Sequence, residues 1–279
     1  MINKKKNYGF IKPEILAEDY IFGAEKVPLD ILQSDSTWLL YLPLSEQQRI
    51  GGVETFNCTS FGTLNCLEIL IHRKYGIKQN YSDRAVGIVA GTQPPGNTPV
   101  KIIETIRKEY SMVKEEFLPF SINIASWQEY YSPKPLTINL QDEGKKWLQE
   151  WEVLHEWVFV EGDKNKKQKL IQNLKYSPLG VSVDAWNEKN GIYYKEKGAD
   201  DNHWTVLYAY DKLLDNFLVF DTYERNLKIL DGDYDFGFAK RYWINRKKVL
   251  TLPIEIVEKK TSFQSLLAFL NSFIAEIFK

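Results

Sequence analysis

Between residues 58 and 75 apolar side chains recur at helical spacing, with Phe61, Leu64, Leu67, Leu70 and Ile71 three or four positions apart. The segment is apolar on most sides, so the pattern predicts a helix buried inside the fold. Asn57 stands before it as a cap and Gly76 follows its end. A second helix is expected near 99–109, after a run of turn residues from Gly91 to Asn97, and polar helices near 141–155 and 164–174. The period then changes to two. Segments 179–183, 204–210 and 217–220 read as strands, with 211–216 as the turn between the last two. Helices first and strands later argue for an α+β fold, with a helical half packed against an antiparallel sheet or barrel half.

The flanks differ in character. Residues 1–40 read as an irregular, aromatic-rich leader packing on a catalytic domain over 41–255. Residues 256–279 read as a separate C-terminal amphipathic helix, because Phe263, Leu266, Leu270, Phe273 and Ile277 form one stripe. Its polar face carries almost no Lys or Arg within 262–279, which disfavours an anionic membrane surface. Docking on the same domain, self-association or a protein partner remain as its expected uses.

Composition narrows the classes. A net charge of −1 with scattered Lys and Arg provides no basic field for a nucleic-acid backbone. No run of 18 apolar residues exists to span a membrane. The start, Met1-Ile2-Asn3 followed by three lysines, has no apolar core of a secretory signal, so a cytoplasmic location is expected. Only Cys58 and Cys66 are present. On one helix they stand about 12 Å apart, too far for a disulfide. No cofactor or metal set is visible.

Cys58 sits at the first turn of the predicted buried helix. Free N–H groups and the helix dipole there stabilise a thiolate, and a nearby imidazolium lowers the thiol pKa further. Cys66 lies two turns inside, where a free cysteine acts as a small hydrophobe. A buried structural role is the commoner one for a cysteine, and on placement alone it stays open for Cys58. Three histidines are available. His72 ends the first helix beside Arg73 and Lys74, and His155 is read as flanking a helix end. His203 opens a strand whose antiparallel return ends at Asp221, so the carboxylate can reach the imidazole. A strand-end histidine and a turn aspartate are the plainer reading of that pair.

The same residues carry a resemblance to the papain family. Asn57-Cys58-Thr59-Ser60-Phe61 resembles its Cys-x-Ser/Ala-Phe helix opening, and Gly96-Asn97 resembles its substrate-side glycine loop. Glu115-Glu116-Phe117-Leu118-Pro119-Phe120 is similar to Glu-x-x-Tyr-Pro-Tyr. Ser182-Val183-Asp184-Ala185, Gly191-Ile192-Tyr193, Asn202-His203-Trp204 and Asp221-Thr222-Tyr223 follow in the family's order. His203 lies 145 residues after Cys58, within the papain-type spacing. The resemblance implies a papain-like fold and a cysteine peptidase with nucleophile Cys58, base His203 and orienting residue Asp221. It places Gly96, Asn97 and Trp204 at the substrate, which would be a peptide or protein. It requires an oxyanion glutamine upstream of the nucleophile, for which Gln48 is the candidate and Gln47 the alternative.

Several features depart from the family. Asp221 replaces asparagine and accepts the same bond; Asp221→Ala is expected to keep the fold and lose most activity, and Asp221→Asn to be milder. Tyr223 replaces the tryptophan that shields the histidine, so the shield is expected to be thinner. Pairing with His203 is expected to bring Cys58 to a pKa of roughly 3–4. No conventional helical inhibitory propeptide and no cysteine pairs are visible, as in the cytosolic bacterial or bacteriophage branch. A peptidoglycan stem-peptide hydrolase and a virion-associated structural protein that keeps the fold are the alternative functions.

Overall fold

The computed structural model describes residues 7–16, 19 and 27–247. The helix expected over 256–279 and most of the start of the leader lie outside the described residues. In chain order the first half contains β1 (Gly9–Phe10), β2 (Arg49–Ile50), β3 (Val53–Glu54), α1 (Cys58–Tyr75), α2 (Asp83–Val89), β4 (Gly96–Asn97), α3 (Pro99–Lys108), α4 (Trp127–Tyr130) and α5 (Ile138–Glu150). The second half contains β5 (Trp151–Phe159), α6 (Lys166–Asn173), β6 (Leu179–Val183), β7 (Asn187–Lys189), β8 (Ile192–Tyr194), β9 (His203–Asp211), β10 (Asn216–Phe220), β11 (Leu227–Asp231) and β12 (Ala239–Arg246).

Eight strands form one sheet in the order β5-β12-β6-β9-β10-β11-β8-β7, antiparallel throughout except where β11 meets β8. The fold is α+β, as the change of period predicts. Helix α1 lies against β9, and its residues from Cys58 through Ile71 are all buried. Gly62 permits that contact: a Cβ there would stand 2.8 Å from Cδ1 of Trp204. The main core fills the space between α1, α3 and the sheet, with Leu67, Ile71, Ile103, Val181, Leu207 and Tyr242 among its members. A smaller cluster joins Phe10, Cys58, Trp157, Trp204 and Phe238.

Three local expectations are corrected. The helix expected over 141–155 stops at Glu150, and 151–159 is strand β5, which pairs with β12 in register Trp151↔Arg246 through Phe159↔Ala239. Aromatic and β-branched residues at 151, 153, 157 and 158 bury on the sheet, so packing overrides the helical period. His155 is therefore a buried strand residue, its Nε2 2.6 Å from Glu104 Oε1. Burial and the neighbouring Lys240 ammonium push its pKa down to about 4, despite Glu104. Asn57 holds the N-cap position without capping by its side chain. Its amide donates to the Asp83 carbonyl and the Tyr130 hydroxyl, while its Oδ1 accepts from Ser60. Helix α2 was not expected; Ser82 caps it through Oγ, which accepts the Ala85 N–H.

Candidate active site

Two elements meet at their starts. Cys58 opens α1 and His203 opens β9. The β9–β10 hairpin pairs Asn216 with Asp211 and Phe220 with Val206, so Asp221 arrives beside the beginning of β9. Asp221 Oδ1 lies 2.6 Å from His203 Nε2, and both side chains are fully buried. That bond holds the Nε2 proton on the imidazole. The other ring nitrogen, Nδ1, is buried and has no hydrogen-bond partner. Trp204, next to His203, shares the smaller apolar cluster with Cys58, and the main-chain N–H groups of Trp204 and Thr59 favour a negative sulfur.

These N–H groups do not win in this arrangement. Burial pushes the Cys58 thiol well above its ordinary range, and the charges of Glu54 and Asp221 push the same way. The expected value of roughly 3–4 is thus corrected for this closed state. The burial comes from Trp157, Trp204 and Phe238 together with Phe10 of the leader, which share one apolar cluster with Cys58.

The leader enters as an extended strand. Gly9 and Phe10 pair in parallel with Gly96 and Asn97. The Tyr8 N–H donates to the Asn202 carbonyl at 2.9 Å, and the Ile11 N–H donates to the Asn97 carbonyl at 3.0 Å. Phe10 stacks on Trp204 with ring centroids 5.8 Å apart and planes 7° apart. Tyr8 meets His203 edge-on at 5.9 Å and Tyr223 at 4.9 Å. Backbone runs against backbone, which only glycine allows. Gly96 has φ +138°, and a Cβ there would stand 1.9 Å from the Gly9 oxygen.

Each anticipated residue has a definite place. Gln48 is fully buried, and its Nε2 is 2.7 Å from the Tyr8 carbonyl oxygen, 3.0 Å from Glu54 Oε1 and 2.6 Å from the Tyr223 hydroxyl. Thr222, directly after Asp221, fixes it: the Thr222 hydroxyl donates to Gln48 Oε1 and the Gln48 N–H to the Thr222 carbonyl. Gln47 instead lines an open cavity of about 420 Å³ beside Tyr8, Trp186 and Tyr223. Asn97 meets the leader through its carbonyl, while its side chain is used locally on Thr92 and the Thr98 N–H. Trp204 is buried beneath Phe10, with its edge against Gly62.

Four contributions went unread in the sequence. The β2–β3 hairpin returns Glu54 onto Gln48, and the Tyr223 hydroxyl donates to both oxygens of that carboxylate at 2.8 Å. Burial and Glu54 together raise the Tyr223 pKa. The shield over His203 is not thin: Trp186 packs edge-on at 5.7 Å and Tyr223 at 5.3 Å. Lys228 lies behind Asp221, its Nζ 2.6 Å from Oδ2. The leader segment itself is the fourth. The turn Gly51-Gly52 signals the hairpin, but nothing local signals the rest. Among the described residues no group of His, Cys, Asp and Glu is arranged to hold a metal ion.

No protein-family model matches the sequence, and neither does any curated protein. Solved structures do match. Xylellain, a cysteine protease from Xylella fastidiosa, is 17% identical with a TM-score of 0.59, over 88% of this chain and 97% of that one. Digestive procathepsin L 3 of Tenebrio molitor larval midgut is 16% identical with a TM-score of 0.53, over 85% and 76%. The clostridial cysteine protease Cwp84, after propeptide cleavage, is 13% identical with a TM-score of 0.55, over 75% and 57%. Identities this low establish architecture, and the architecture of this chain is the papain-like cysteine-protease fold.

Proposed function

We propose that the chain is a cysteine peptidase acting on peptide bonds of proteins or peptides through Cys58, His203 and Asp221, with Gln48 as oxyanion donor. The observation that carries this reading is the occupant of the cleft. An extended peptide lies there, main chain paired with Gly96–Asn97, and its Tyr8 carbonyl accepts a bond from Gln48. A substrate carbonyl held by the same amide would have its developing negative charge stabilised where it forms.

The chemistry follows from the ring. With Nε2–H committed to Asp221, the Nδ1 lone pair is available for the thiol proton. The thiolate attacks the carbonyl carbon, the imidazolium returns its proton to the leaving amine, and the C–N bond breaks to leave a thioester. Water, deprotonated by the same nitrogen, then attacks the thioester and releases the acid and the thiol. In this reading residues 8–11 keep the enzyme closed, and turnover requires their withdrawal.

The test is incubation of wild-type protein and Cys58→Ala with a denatured protein and, separately, with purified peptidoglycan. Peptide release from the denatured protein, lost in the variant, supports the reading. Release from peptidoglycan alone would replace it with stem-peptide hydrolysis. A papain-class epoxide that reacts with neither cysteine, with no release from either substrate after leader removal, would leave a fold without turnover.

A further inference from the structure

Asp221 stands where a neutral amide would serve, and a full negative charge there carries a consequence. Its Oδ1 bonds His203 and its Oδ2 bonds Lys228 Nζ, each at 2.6 Å. The side chains of Asp221 and Lys228 are 0% and 2% exposed. The ammonium also donates to the Glu224 and Arg225 carbonyls, at 2.9 and 2.8 Å. All three protons of Lys228 are thereby placed, and they tie the loop after β10 to the carboxylate. Above Lys228 lie the rings of Trp186 at 5.1 Å and Tyr193 at 5.9 Å, which close it from water. Burial alone would raise the Asp221 pKa; the His203 imidazole and the Lys228 ammonium overcome this and hold it below the usual carboxylate range.

We propose that Lys228 is a positioning residue of the site: it locks the rotation of the Asp221 carboxylate and cancels its charge, so that His203 meets the electrical equivalent of a neutral amide. The proposal rests on the peptidase reading for its catalytic meaning, though not for its electrostatics. Other charges facing the pair do not replace Lys228. Cys58 on α1, Tyr8, Tyr223 and Glu54 on β3 are neutral or acidic, as is Asp184 after β6. Arg225 pairs outward with the exposed Glu188 on β7, and Arg49 on β2, whose charge reaches Tyr8, is itself exposed to water. Two opposite shifts follow. Without Lys228, the bare carboxylate favours the imidazolium. Without the Asp221 charge, a buried ammonium repels it.

The proposal predicts a large effect of Asp221→Asn, where hydrogen bonding alone predicts one milder than that of Asp221→Ala. Three variants test the proposal in the full chain: K228M, D221N and D221N/K228M. The readout is ring ¹⁵N NMR of the histidines, of which only three exist. Relative to wild type at one fixed pH, the ring signals of His203 should move toward the imidazolium form in K228M and toward the neutral form in D221N. The double variant should return close to wild type. Peptide turnover at neutral pH should fall about 100-fold in D221N and regain at least tenfold when K228M is added, since a neutral asparagine then faces the ring with no stranded ammonium.

A merely structural Lys228 would lower stability in K228M with the His203 ring signals unmoved, and that result overturns the proposal. So does a double variant no closer to wild type than D221N. Should D221N fail to fold, the double variant buries no unpaired charge, and the comparison becomes K228M against the double. The shift must then appear in K228M alone. Absence of turnover in every protein with the NMR shifts intact would remove the peptidase reading and leave the charge balance standing.

Discussion

Gly9→Ala should open the cleft without touching any residue that does chemistry. Gly9 has φ +119°, and a Cβ built on it stands 2.3 Å from the Phe56 oxygen and 2.4 Å from the Phe56 carbonyl carbon. Those are backbone atoms adjoining the start of α1, so they cannot rotate aside. A non-glycine residue in that backbone region costs about 1–3 kcal/mol, and overpacking adds about 1–3 kcal/mol. The bonds at residues 8–11 from the Tyr8 N–H, the Ile11 N–H and the Gln48 amide are worth about 1 kcal/mol net apiece, beside the pairing with Gly96–Asn97 and the stack of Phe10 on Trp204. A penalty of about 2 kcal/mol weakens that grip and raises the open fraction about 30-fold. Opening also readmits water to Cys58, removing part of the burial that raises its thiol pKa. The assay is brief iodoacetamide labelling followed by peptide mapping, with Cys66 as internal control, since it is buried two turns inside α1. Cys58 should label at least about tenfold faster in the variant and Cys66 at an unchanged rate. Equal acceleration of both would mean general loosening, and an unchanged Cys58 rate would mean that the leader does not gate the thiol.

Gln48→Ala should separate binding from catalysis. Loss of the bond to the Tyr8 carbonyl loosens the leader and speeds Cys58 labelling, while turnover of a peptide falls about 10²–10³-fold through loss of the oxyanion donor. If labelling and turnover fall together, Gln48 is a structural residue. A pH effect arises away from the site, where Glu46 lies against Asp83 and Asn80, with Glu115 and Glu68 nearby. Burial raises the Glu46 pKa to about 7 from an ordinary 4.5, in spite of hydrogen bonds from Asn80 and Asp83. A carboxyl whose folded pKa is raised favours the fold below the unfolded value, and that contribution is lost as pH climbs through about 7. Glu46→Gln should thus gain melting temperature relative to wild type between pH 5 and pH 8, read by thermal unfolding at each pH. A constant difference across that window would show that Glu46 does not titrate there.

The parts of the fold that could be read in advance are those where one physical signal dominates. Helix α1 announces itself because it is buried on all sides and ends at Gly76, whose left-handed backbone (φ +68°) closes the last turn. His203 and Asp221 could be linked because an antiparallel hairpin needs only its turn to be located. Strand β5 was misread because Trp151, Val153 and Trp157 follow a polar helix without a breaker, and the sheet that accepts them comes from β12, about 90 residues later.

Strand β11 shows why Lys228 stayed hidden. Side-chain alternation within Leu-Lys-Ile-Leu-Asp would by hydropathy alone put Leu227 and Ile229 inward and Lys228 outward. The burial is the reverse: Leu227 and Ile229 are 54% and 41% exposed, while Lys228 and Leu230 are buried. Alternation fixes which residues share a face but not which face is buried, and a one-residue shift exchanges them all. Burying an ammonium is costly unless a charge awaits it, so no local rule points Lys228 inward. The charge that awaits it is Asp221, brought alongside by the β10–β11 pairing of Phe220 with Leu227. The aspartate that departs from the family pattern and the lysine that breaks the strand pattern are thus one feature. Each is unfavourable alone, and together they set the field in which His203 works.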